Sequence, residues 1–449
     1  MVAFIAALGY SMISLHRYVT FQLGEDLAIF GQAVRGYSQF EAPLSSSKSP
    51  DGFNLLGDHF TPIVALLAPL YRLWPNIQLL LVAQALLFGL AIFVTGLHLL
   101  KQVGAKWAVL LSVGLACSWG LVHAVLFDFH EIAFAVPLLA IAFVCVANEY
   151  WAGLAITVML LWITKEDCTF LTAGLGLVLL ARRRVRAGVL LGGTSVAVFL
   201  LLTKIVIPAL SYWGRYTYFD VVSGPWWQTV GHNFLSTAFA TFLVVVTLTL
   251  GVGVVSPYAL VLLPVVASRL ASANPVYLGI DHHYNAVVMV ICVFAAGDVI
   301  SRLQNHSTLT TTRPRILKVQ AVLVAAGIIY GGSLVIGLGG LERQVNSCIE
   351  CQELTSASTL VPSNALVAAD SYVVAHLVDS SVPILTGPDW LDKTSPPFSP
   401  SWVIVDIASS ALNNRATGWQ TDLNDILPTW GYHVVWSGSV VSVWTTGST

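Results

Sequence analysis

Long apolar runs alternate with short polar stretches through residues 1–339. A helix needs about 20 mostly apolar residues to cross a bilayer. On that basis the pattern predicts spans near 1–15, 77–100, 107–126, 132–148, 151–164, 168–181, 187–208, 234–254, 257–270, 284–299 and 318–339. Several of these runs are short, and the region 234–270 divides in more than one way. The first run lacks a basic flank and a clear cleavage site, so it reads as a retained span. No repeat of fixed period and no low-complexity tract interrupts the series.

From about residue 340 the pattern becomes that of a soluble domain. "NALVAAD", "VPILTG" and "SWVIVDI" predict strands, while "SYVVAHLV" and "WQTDLNDIL" predict helices. "YHVVWSG" and "SVVSVWTT" predict a hairpin around Gly438. The expected fold is therefore an α-helical polytopic membrane protein of about 11 transmembrane helices with a small α/β C-terminal domain. Its expected boundaries are 1–339, including a long loop at 16–76, and 340–449. The tail has no Gly-rich phosphate loop and no nucleophile constellation, so it reads as a stability or docking domain.

Composition sharpens the class. Charged residues are 10% of the 449, hydrophobic residues 56%, and the mean hydropathy is +0.77; a soluble domain carries roughly 25% charged residues. The net charge of -2 conceals an asymmetry. From Glu342 onward there are ten acidic and three basic residues, against 13 acidic and 18 basic before it. Short loops holding Lys101, Lys106, Arg182, Arg183, Arg184, Arg186, Arg302, Arg313, Arg315 and Lys318 carry ten of the 21 basic residues. Basic loops mark the cytoplasmic side. The N-terminus is then expected inside, and the loop 16–76 and the tail outside. No nucleic-acid partner is expected.

The six cysteines include a C-x-x-C at Cys348 and Cys351, without a second pair or a His cluster that would suggest zinc. A disulfide on the oxidising side and free thiols are both open. The other four cysteines read as packing residues.

Charge at the edge of an apolar span is costly and usually marks function. Glu25 and Asp26 precede Leu27, Phe30 and Val34 at the spacing of an interfacial amphipathic helix. Locally, the pair could simply complement that helix's dipole. Asp58 and His59 precede Pro62, which would open a helix to about Trp74, with Asp58 as an alternative N-cap. Asp128, His130 and Glu131 crowd a very short turn, where capping needs only one of them. Lys165, Glu166 and Asp167 are either a compensated ion pair or a lysine reaching an anionic head group. Asp281, His282, His283 and Tyr284 sit at the mouth of a span. Adjacent histidines do not share a helix face, so phosphate contact suits them better than metal. Arg215, among Tyr212, Trp213, Tyr216 and Tyr218, reads first as part of an aromatic belt and second as a ligand contact. In this topology these groups share the outer face. Such a cavity suits a reaction between a membrane lipid and an outside acceptor.

"DLAIFGQAV", "NLLGDHFTPIVALLAPLYRLWP", "FDFHEIAFAVPLL", "TKEDCTFLTAGLGLVLL" and "DHHYNAVVMV" occur in this order. Together they resemble the bacterial membrane-protein family called domain of unknown function 2079. That family is in turn similar to the glycosyltransferase C superfamily, whose members use sugars carried on polyprenyl phosphate. The resemblance covers roughly residues 20–300, and the tail pattern is also similar. It places the superfamily's first-loop acid on Asp26, with Glu25 beside it, and its second acidic site on Asp128 or Glu131. It implies transfer of a sugar from a polyprenyl-phosphate donor to a cell-envelope glycan, lipid or protein. Asp26 would be the general base, and Lys165, His59, His130 or His283 would face the leaving phosphate. Glu131 or Asp128 would orient the acceptor or hold a divalent cation, whose requirement stays undecided. Two alternatives belong to other classes: a lipid or solute transporter or flippase, and a non-catalytic envelope assembly protein acting through its tail.

Overall fold

The computed structural model describes residues 1–219, 226–272, 274–305, 313–338, 348–408 and 419–447. Its residues group into two compact units. The first comprises 1–12, 56–63 and 83–339; the second comprises 13–55, 64–82 and 340–449.

In the first unit the apolar runs become helices almost run for run. After α1 (Val2–Val19), α2 (Glu25–Ser38) and α3 (Ala68–Leu73) comes α4 (Gln78–Ala116). Helix α4 continues through the loop expected at 101–106 but breaks at Gly104, whose φ is +79°. A residue with a Cβ rarely adopts that backbone conformation. The break divides α4 into the two predicted runs, and α5 (Trp119–Val125) completes the second.

Then follow α6 (Ile132–Ala147), α7 (Trp151–Trp162), α8 (Cys168–Ala181) and α9 (Val185–Leu201), the last extended to Leu210 by a π turn and a short α10 (Ile207–Leu210). Next are α11 (Trp226–Phe234), α12 (Thr237–Leu250), α13 (Leu262–Leu270), α14 (Ala286–Asn305) and α15 (Arg313–Leu338). Among the described residues six stretches are long and apolar enough to cross a membrane, and five shorter apolar helices accompany them.

Packing without a hydrophobic drive favours small residues and hydroxyl pairs between helices. Helices α8 and α9 show both. A Cβ on Gly188 would lie 2.8 Å from the Gly176 carbonyl oxygen, and Thr172 and Ser195 share a hydrogen bond of 2.8 Å.

The second unit is built on a five-stranded sheet ordered β2-β1-β3-β5-β4. Strands β1 (Leu366–Ala369), β2 (Val382–Leu385) and β3 (Trp402–Asp406) are parallel, while β4 (His433–Ser437) and β5 (Val441–Thr445) close it as an antiparallel hairpin. This matches the predicted strands and hairpin. Helices α16 (Ile349–Leu360), α17 (Val374–Leu377) and α18 (Trp419–Ile426) complete the layer. Ala368, Ile384, Trp390, Val403, Leu423 and Trp444 form its core.

Residues 13–55 and 64–82 contribute to this unit as well as the tail. The α2 residue Arg35 donates to the Val378 carbonyl (2.6 Å), and Tyr71 donates to Asp379 (2.6 Å). His376 stacks between Tyr18 and Phe21 at 4.1 and 3.8 Å. Helix α2 therefore packs in a protein interior, where an interfacial helix was expected. Its apolar set is too broad for one exposed stripe: Ala28, Ile29, Gly31 and Ala33 are buried along with Leu27, Phe30 and Val34. Cys348 and Cys351 form a disulfide at the start of α16.

Candidate functional site

The first unit gathers most of the polar residues singled out in the sequence at one end of α6, α8 and α14. The short connections there bring them together. Lys165 and Glu166 lie in the turn between α7 and α8, and the Ile63 N–H donates to the Ile163 carbonyl (3.1 Å), which holds the segment 56–63 against that turn.

Lys165 Nζ is 2.9 Å from Glu131 Oε1, and both residues are buried. Glu166 is fully buried. One of its oxygens lies 2.6 Å from His59 Nδ1 and accepts from the Tyr216 hydroxyl (3.0 Å); the other accepts from the Phe60 N–H (3.0 Å). Tyr218 stacks on His59 at 4.5 Å and donates to Asp58 Oδ1 (3.2 Å). Glu131 is followed along the chain by α6 and preceded by His130, which stacks on His283 with ring centroids 3.5 Å apart. The Tyr284 ring lies 4.1 Å from that of His283. A contiguous set of contacts thus joins Asp58 to Tyr284.

Burial opposes every charge in this set, and the pairing reverses its effect. Burial pushes Lys165 down, but Glu131 and Asp167 hold its ammonium well above the ordinary lysine value. Burial raises the Glu131 carboxyl, but Lys165 and then His130 bring it below the carboxylate range. Glu166 is likewise drawn to about 2 against burial, chiefly by His59. Burial and Lys165 lower His59, yet Glu166 leaves it net raised. His283 has no such carboxylate partner. Both its ring nitrogens are buried without a hydrogen-bond partner, at 4% exposure of the residue. Buried polar atoms left unsatisfied in this way need an explanation, and a ligand is one.

Not every expected residue joins the set. Asp128 is buried in the α5–α6 turn, and its carbonyl lies 3.3 Å from His130 Nδ1. Arg215 is exposed, Asp167 is exposed at the edge of the set with its charge still acting on Lys165, and His282 lies beside Phe127, 4.7 Å between ring centroids. Glu25 and Asp26 belong to the second unit, in the first turn of α2 after Gly24.

Other residues enter that the sequence left aside. Tyr216 and Tyr218, read as belt residues, turn to Glu166 and Asp58. Gln84 accepts from the His130 N–H (3.2 Å). Arg269, buried in α13, donates to Asn285 Oδ1 (2.7 Å) and the Tyr284 carbonyl (2.6 Å) and so fixes the turn that presents His283. A Gln and an Arg inside apolar runs were the available signal, since such residues are expensive there. Among the described residues no group of three or more His, Cys, Asp or Glu is arranged to hold a metal ion.

With this geometry in place, the class follows from the architecture. The structure is similar to that of ArnT from Cupriavidus metallidurans, solved bound to undecaprenyl phosphate, with a TM-score of 0.57 over 99% of this chain and 98% of that one. At 12% identity the likeness shows the fold, a polytopic membrane protein of glycosyltransferase C architecture. The chain belongs to the family described as Predicted membrane protein (DUF2079), whose model matches residues 17–436. No curated protein matches it.

Proposed function

We propose that this protein is a membrane glycosyltransferase that moves a sugar from a polyprenyl-phosphate donor to an acceptor on the outer side of a bacterial cytoplasmic membrane. The observation that carries this reading is the pair of basic groups in the first unit, buried Lys165 and partly buried His59, each set against its own carboxylate. Lys165 has three N–H donors and spends one on Glu131, leaving two for an anion. His59 meets Glu166 through Nδ1, so Nε2 is the nitrogen left to face a ligand. Charge-assisted donors in a water-poor site strongly stabilise charge developing on a leaving phosphate. The glycosyltransferase C-type fold and the undecaprenyl phosphate bound to ArnT support the same donor class.

The roles follow. His283, with both ring nitrogens unsatisfied, hydrogen-bonds to the donor or acceptor. Glu131 keeps Lys165 charged and in place. Asp26 is the general base on the strength of the family resemblance. It takes the proton of the acceptor hydroxyl as that oxygen attacks the anomeric carbon and the C–O bond to phosphate breaks, inverting the configuration. Its neighbour Glu25 supports it.

The test is transfer of radiolabelled sugar from polyprenyl-phosphate donors to cell-envelope acceptors by the purified protein. Asp26→Asn is expected to remove at least about 100-fold of the rate, the low end for general-base catalysis, without lowering the melting temperature. Transfer that persists in Asp26→Asn overturns the base assignment. No transfer from any such donor, with substrate instead moving across sealed vesicles, favours a transporter.

A further inference from the structure

A second polar site lies at the far ends of the same helices. α6 and α8 start at the turns that carry Glu131 and Lys165 and end at Ala147 and Ala181, the latter followed directly by Arg182; the His283 turn leads into α14, which passes through Asp298. At 1.5 Å per residue, helices of 16 and 14 residues separate the two places by roughly 20–25 Å. There, a cavity of about 240 Å³ is lined by His98, Gln102, Arg182, Tyr258 and Asp298.

Its charges are unequally satisfied. Asp298 Oδ2 accepts from Ser256 Oγ (2.6 Å) and pairs with Arg302 (2.7 Å). The nearby Arg184 is paired with Glu149. Arg182 donates through Nη2 to the Tyr258 hydroxyl (2.9 Å), and its guanidinium carbon sits 4.8 Å from that ring's centroid. Its Nε is buried without a partner, and among the described residues no carboxylate pairs with it. The cavity is therefore lined by a cation that no carboxylate pairs with, beside a histidine, an amide, a phenol and the Asp298 carboxylate, which Arg302 already neutralises. Lys101 and Arg186 lie nearby in the chain and add a positive field.

Planar guanidinium donors match phosphate oxygens. The volume is below the roughly 300–1,000 Å³ of sites that enclose drug-sized ligands. It suits a phosphate group with a short substituent and is too small for a nucleotide. We infer that this cavity binds a phosphate-bearing anion through Arg182, either the head group of an anionic membrane lipid or free phosphate. The site is distinct from the Lys165 cluster, and its test reads binding alone, so either idea can fail without the other.

The full-length protein is placed in bilayer discs of phosphatidylcholine, with phosphatidic acid added in one arm and inorganic phosphate in the other. Melting temperature and binding are followed. Wild type is expected to be stabilised in at least one arm: the lipid arm alone identifies a head group, the phosphate arm alone a soluble anion. Arg182→Gln is expected to weaken that binding by about tenfold or more. Arg183→Gln, the same charge change on an exposed neighbour, should leave it intact. Should Arg182→Gln not fold, Arg182→Lys keeps the charge without the fork and is expected to bind several-fold more weakly. No response of wild type in either arm overturns the inference. So does a response that survives substitution of Arg182, or one lost equally on substitution of Arg183.

Discussion

Lys165 shows how much a single buried charge here depends on its partner. With Glu131 beside it, the pair is compensated; without the lysine, Glu131 is a buried carboxylate with no counter-ion. Breaking such a pair costs about 3–5 kcal/mol. Lys165→Met should therefore lower the unfolding free energy by that order, and adding Glu131→Leu should recover much of it. A double variant no more stable than the single would show that the pair is not coupled.

His59 and Glu166 predict a pH dependence. The folded His59 value lies above 6.5, so the stability from its charge is whole below that and fades as pH rises through the folded value. Glu166 falls from 4.5 to about 2, so its share is present above 4.5 and is lost as pH drops toward 2. The melting-temperature gap between wild type and His59→Gln should be widest between pH 4.5 and 6.5. A gap that does not vary with pH would contradict this pairing.

At the scale of elements, hydropathy located the helices well because apolar length is a property of consecutive residues. It placed one loop boundary too simply at 101–106, where α4 runs on to its break at Gly104. The strands of the tail were legible for a similar reason: β1, β2 and β3 are short apolar runs bounded by turn residues. The seating of the hairpin was not legible. Glu353 of α16 accepts from the N–H groups of Ser439, Val440 and Val441 at 2.6, 2.9 and 3.0 Å. Three backbone donors on one carboxylate lock the β4–β5 turn. Glu353→Ala should speed amide hydrogen exchange at residues 439–441 and leave the core strands β1 and β3 protected. Unchanged exchange at those amides would remove Glu353 from that role.

At the scale of the whole molecule, the second unit is discontinuous. Besides the described residues of the tail, it takes in 13–55 and 64–82. The acidic tail is therefore only one part of a folded body. Deleting residues 348–449 would strip Arg35, Tyr71, Tyr18 and Phe21 of their contacts with Val378, Asp379 and His376. Limited proteolysis of the truncated protein should then cut within residues 13–82, which the full-length protein protects. Protection equal to that of the full chain would show that those segments fold without the tail.

Much of this could be read along the chain. Membrane class, the positions of the apolar helices, the strands of the tail and the polar clusters at the turns all come from neighbouring residues, and hydropathy and periodicity report on neighbours. The partnerships come from elsewhere. His59 meets Glu166 across 107 positions, and Arg182 meets Tyr258 across 76. Which of several nearby charges is paired, and which is left to face a cavity, depends on how the helices pack. Packing brings distant residues within ångströms of one another, and no local pattern in the chain records it.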